Sequence, residues 1–124
     1  MRTPSKSPLP PKRRVEERPA DPGRRDVEAL SLLGLARRSG RAIVGTKAVR
    51  EAAKSGALHL ALVARDAGEN ARNRVVPVFE ATDTAWSECG TAGALARSVG
   101  RERAVVVGIA DRRLAARIEE ILAD

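Results

Sequence analysis

Two apolar runs constrain this chain more than any other feature. Leu58–Ala64 is interrupted only by His59, and Ala104–Ile109 is not interrupted at all. Runs of this kind are strands covered on both faces. Between and around them the apolar residues recur at helical spacing, with caps and glycine stops at the segment ends. Helices alternating with buried strands imply a sheet with helices packed on both sides. We therefore expect a three-layer α/β/α sandwich on a mixed, largely parallel sheet of four to five strands.

The segments can be placed one by one. Asp26 is suited to cap a helix over Val27–Arg38, with Val27, Leu30, Leu33, Leu35 and Ala36 apolar and Gly40 to stop it. Ala42–Val44 is a short strand. A second helix spans about Thr46 to Ser55, with Val49, Ala52 and Ala53 on one face and Gly56 at its end. Asp66–Asn70 reads as a polar loop. Ala71, Val75, Val78 and Phe79 share a helical face that contains Pro77, which should kink the helix or tighten its turn. Trp86–Cys89 is a candidate edge strand. Thr91 caps a helix to about Val99. Asp111 caps a last helix whose apolar face is Leu114, Ile118, Ile121 and Leu122.

Charge is unevenly placed. The chain carries a net +7, which favours polyanionic partners. Residues 1–25 hold eight Lys/Arg, three Asp/Glu and six of the seven prolines. With few apolar residues beyond Leu9 and Val15, that stretch lacks the surface to offset its ordering entropy. We expect a disordered, basic, Pro-rich tail over 1–25 and a folded domain over 26–124. No run is long enough to span a membrane, and the basic start has no apolar stretch after it, so a secretory signal is not expected. The single cysteine, Cys89, precludes an internal disulfide and fits a cytoplasmic setting.

Catalytic constellations are missing. His59 has no Cys or carboxylate at ligand spacing and is better read as a satisfied strand histidine than as a metal ligand. Cys89 reads as a small buried hydrophobe. Asp66 and Asp111 follow apolar strands, as active-site carboxylates do, but a turn former and an N-cap explain them more simply. There is neither GxGxxG nor a phosphate-loop lysine motif. We expect no enzyme, no cofactor, no metal and no small-molecule substrate.

The basic residues group around one segment, Gly40–Val49. There a short strand runs through Gly45 into a helix start, where unpaired N–H groups and the helix dipole favour anions. Arg37, Arg38 and Arg41 precede the strand. Thr46 and Lys47 sit in the first helical turn and Arg50 one turn on. A lysine in a first turn opposes the dipole, so something other than helix stability favours it. Arg101 and Arg103 precede the last strand. In a parallel sheet the first and last strands would enter from one side, and these loops would form one basic surface. The plainer alternative is scattered solvated charge, interleaved with Glu51 and Glu102. Only Phe79 and Trp86 are aromatic, which disfavours a base-stacking sheet.

Taken in order, several segments resemble a known family. Leu32–Gly40 with Gly45-Thr46-Lys47, then Leu58–Ala64 with Arg65-Asp66-Ala67 and Asn70, then Leu95–Glu102 and Ala104–Ile109, are similar to bacterial YlxQ-type proteins. These belong to the ribosomal protein L-seven-Ae / L-thirty-e superfamily, whose members bind kink-turn RNA. The resemblance covers about residues 27–122. It implies an α/β/α sandwich and a non-enzymatic, ribosome-associated, monomeric RNA-binding protein that recognises structured or kink-turn-like RNA. It implies an RNA site at Gly45, Thr46 and Lys47, supported by Val99, Gly100, Arg101 and Arg103. The chain departs from the archaeal pattern at Ala48 and Glu51. Alanine offers a guanine edge no hydrogen bond, and glutamate repels phosphate. These two positions favour the alternative of a protein-interaction module of the same fold.

Overall fold

The computed structural model describes residues 22–123. Along the chain come α1 (Pro22–Arg38), β1 (Ala42–Val44), α2 (Thr46–Ser55), β2 (Leu60–Val63), α3 (Glu69–Ala81), β3 (Trp86–Glu88), α4 (Ala92–Ser98), β4 (Val106–Ile109) and α5 (Arg112–Ala123). The four strands form one sheet in the order β1-β4-β2-β3. The α/β/α architecture expected from the apolar runs is present. Helices α1, α4 and α5 pack together over one face, and α2 and α3 pack together over the other.

The two apolar runs become the two central strands. Every residue of β2 and of β4 is buried. Their flanks, β1 and β3, are three-residue edge strands of intermediate burial. The sheet is mixed, but it is not largely parallel. Only β2 and β3 run together as neighbours, whereas β4 is antiparallel to both β1 and β2. Apolar runs report burial on two faces and carry no signal for direction. Direction is set by α4, which is only seven residues long. It runs beside α1, from Gly90 near Asp26 to Ser98 near Gly34. Residues 99–105 then return to the level of Ala64, whose N–H donates to the Val105 carbonyl. β4 therefore starts at the end where β1, β2 and β3 finish. We call this the exit end of the sheet, and the opposite end the entry end.

Close packing at the centre depends on Gly108. A Cβ there would lie 2.3 Å from Leu58 Cδ1, so the missing side chain is what lets Leu58 close over β4. Phe79 is fully buried, and its ring stands 6.3 Å from that of Trp86. Cys89 is buried, as expected, and burial pushes its thiol up to about 12, which makes it a poor nucleophile.

The caps at Thr91 and Asp111 form as the sequence suggests. Thr91 Oγ1 accepts from Ala94 N at 3.1 Å, and Asp111 Oδ1 accepts from Leu114 N at 3.0 Å. Other local expectations need correction. α1 begins at Pro22, a favoured first helical position, so Asp26 lies inside the helix and is not its N-cap. The tail expected over 1–25 therefore gives way to helix from Pro22, and the rest of it lies outside the described residues. α3 starts at Glu69 and continues through Pro77, which is exposed on its outer side. Asp66 does more than form a turn, because its Oδ1 accepts from Ala92 N at 2.8 Å and so reaches the start of α4.

Candidate functional site

Gly45 joins β1 to α2 and holds φ at +103°, a conformation that L side chains rarely adopt. Its N–H donates to the Val106 carbonyl at 3.1 Å, which fixes the β1–α2 turn against the start of β4. Its own carbonyl accepts from Val49 N and begins the helix. No side chain caps α2, and no atom lies within 4 Å of where a Gly45 Cβ would stand. The first amides of α2 thus have no side-chain acceptor at the positive end of the helix dipole. Thr46 is half-buried and Lys47 is exposed beside it. On the same helix Ala48 and Glu51 are also exposed.

Arg50 differs from the surface cation expected of it. It is half-buried, and its Nε is buried with no partner among the described residues. Arg103 is exposed and lies two residues before Val105, on the segment leading into β4 at the same end. Gly45, Thr46, Lys47, Arg50 and Arg103 are therefore grouped at the exit end.

The other sequence-nominated residues are elsewhere. Because β1 and β4 are antiparallel, the segment before β1 and the segment before β4 enter from opposite ends. Of the single basic surface expected of these two loops only part forms, where Gly100 meets Arg37, while Arg103 lies toward the other end. Arg41 N donates to Ala36 O at 2.7 Å, and Arg41 O accepts from Ala110 N at 2.8 Å. Arg41 is thereby held at the entry end, next to Asp111, together with Arg37 and Arg38 at the end of α1. Gly100 belongs with this group, since a Cβ there would lie 2.7 Å from Arg37 Nη2. Arg101 follows it and is exposed, with its N–H on Ala96 O. Val99 is buried in the core at the end of α4 and presents no contact surface.

Sequence reasoning missed one polar cluster entirely. Asp26 is 7% exposed and accepts from Arg65 Nε at 2.9 Å, Arg65 Nη2 at 3.0 Å and Gly90 N at 2.9 Å. Glu88 faces Arg65 at 3.7 Å and Arg72 at 2.7 Å. The hydrogen bond to Asp26 is the main influence raising the Arg65 pKa, and partial burial opposes it. The partners of Asp26 are 39 and 64 residues away in sequence, so no local pattern announces them. This cluster ties α1 to the β2–α3 and β3–α4 connections and leaves neither carboxylate free for chemistry. No cluster of His, Cys, Asp and Glu suited to a metal ion occurs among the described residues. No helix among them is long and apolar enough to cross a membrane.

Similarity to known proteins lies in shape. No protein-family model matches the chain, and no curated protein matches it in sequence. A solved structure of a protein of unknown function from Bacillus halodurans aligns with a TM-score of 0.74 and 25% identity, covering 78% of this chain and 98% of that one. The 15.5 kD RNA-binding protein of Giardia lamblia aligns with a TM-score of 0.70 and 18% identity, covering 81% of this chain and 86% of that one.

Proposed function

We propose that this chain is a non-enzymatic RNA-binding protein that reads structured RNA with the exit end of its sheet. The observation that carries the proposal is the β1–α2 junction: an uncapped helix start, open space in front of Gly45, and Lys47 exposed in the first turn. Helix amides and an adjacent cation suit a phosphate or a purine edge. The shared fold of the Giardia RNA-binding protein supports this class of ligand. The YlxQ-type resemblance extends it to kink-turn-like RNA and to ribosome association in the cytoplasm, with the protein acting as a monomer. With two aromatic residues in the chain, recognition rests on shape and backbone rather than on base stacking.

The protein-interaction alternative has its own support. Ala48 and Glu51 are both exposed on the helix that would face RNA, and neither adds affinity for it. One titration separates the two. It compares a kink-turn RNA with the same RNA whose sheared G·A pairs are replaced by Watson–Crick pairs. Kink-turn reading predicts tighter binding to the first, and a Lys47→Ala variant that weakens binding while unfolding at the wild-type midpoint. Loss of one phosphate contact lowers the salt slope by about 0.7–0.9. Equal affinity for both RNAs overturns kink-turn reading, and no affinity for either favours the protein-interaction module.

A further inference from the structure

We infer that the entry end of the sheet is a second, separate RNA-backbone site, so that one molecule holds two RNA segments at once. The inference rests on the RNA reading of the exit end and extends it to a surface that reading does not use.

Five arginines converge there. Arg37 and Arg38 end α1, Arg41 is pinned between Ala36 and Ala110, and Arg112 and Arg113 open α5. All are exposed, and among the described residues none holds a side-chain hydrogen bond or an ion pair. The acid set among them is Asp111, whose pKa is lowered first by its bond to the Leu114 amide and further by Arg41 and Arg113. Asp111 is thus already committed to capping α5.

Fold stability does not account for this grouping. Cations at the end of α1 suit its dipole, but Arg112 and Arg113 stand in the first turn of α5, where the dipole disfavours them. Like charges this close also repel one another. Arg65 and Arg72, which do serve the fold, are paired with Asp26 and Glu88. Unpaired arginines arranged against the local field fit a polyanion that supplies the missing charge, and guanidinium forks match phosphate oxygens. Guanidinium groups presented together match phosphates along a strand, so the site takes RNA backbone without sequence preference. α2 spans about 15 Å between the two ends, which places different RNA segments at each.

A bridging assay tests the inference. A biotin-tagged kink-turn RNA is immobilised, the full chain is added, and a fluorescent RNA duplex of unrelated sequence is offered. Wild-type protein should retain the duplex in a particle whose mass contains one protein and two RNAs. An Arg112→Glu/Arg113→Glu variant should keep its kink-turn affinity but lose bridging by about tenfold or more, and its duplex binding should show a salt slope reduced by about 1.5. Unchanged bridging by that variant overturns the second site, as does a bridged particle containing two proteins. Kink-turn binding that depends on Lys47, without bridging, overturns the second site alone. Wild-type protein that binds neither RNA overturns the proposed function with it.

Discussion

The two ends of α1 handle charge in opposite ways. Near its start, the Asp26 carboxylate is buried and accepts three hydrogen bonds, from Arg65 and from the Gly90 amide. Near its end, Arg37 and Arg38 join Arg41, Arg112 and Arg113 in a group that makes no ion pair among the described residues, with Asp111 as its acidic neighbour. A buried ionic group is tolerated only when its bonds are complete, so the first arrangement is part of the fold. The second is solvated and holds nothing together. The contrast separates charge that builds this domain from charge that is available to a partner.

The contrast breaks most severely at Asp26. Asp26→Ala leaves the Gly90 amide buried without an acceptor and removes both Arg65 hydrogen bonds. We expect a loss of about 2–3 kcal/mol, toward the lower side for a buried pair because Arg65 is partly solvated. Urea unfolding followed by the fluorescence of Trp86 measures it. Asp26→Asn keeps an acceptor for one bond and should lose less. A loss below about 0.5 kcal/mol for Asp26→Ala would mean that the network does not hold the exit end.

Asp111 sits on the other side of the comparison and should have a smaller effect. Its folded pKa is depressed, so its contribution is present above the unfolded carboxylate value near 4 and is lost as pH falls through the lower folded value. Asp111→Ala should therefore lower the thermal midpoint at neutral pH, and the gap to wild type should narrow on acidification from about pH 5 to pH 2. A gap that stays constant across this range would show that the carboxylate charge contributes nothing beyond its shape.

Local signals in the sequence placed most elements, and non-local relations escaped them. Gly56 ends α2 in a left-handed conformation, Thr91 and Asp111 cap as their types suggest, and the apolar runs became β2 and β4. Each rests on residues a few positions apart. Strand direction was not readable, because Val106–Ile109 has the same composition whichever way it runs. Asp26 resembled an N-cap for the same reason: the residues that claim it, Arg65 and Gly90, are 39 and 64 positions away. The site inherited both limits. The Gly45 turn was visible as a local strand–glycine–helix pattern. Arg37, Arg38 and Arg41 are near it in sequence but stand at the other end of the three-residue strand β1, and Val99 is core.

The smallest effect is also the most discriminating, because it asks whether the entry-end arginines serve the fold at all. The helix dipoles act on the two pairs with opposite signs. Arg37 and Arg38 lie in the last turn of α1, where a cation is worth about 0.3–1 kcal/mol at low salt. Arg112 and Arg113 lie in the first turn of α5, where the same interaction is unfavourable. Arg37→Ala/Arg38→Ala should lower the unfolding midpoint slightly, and Arg112→Ala/Arg113→Ala should raise it slightly. Both differences should shrink in 1 M salt, where the screening length is about 3 Å. A marked loss of stability in the second double variant would show that these arginines hold the fold, and the charge at this end would then no longer be free for RNA. A gain, paired with lost bridging, would show a surface kept at a cost to the fold because a partner requires it.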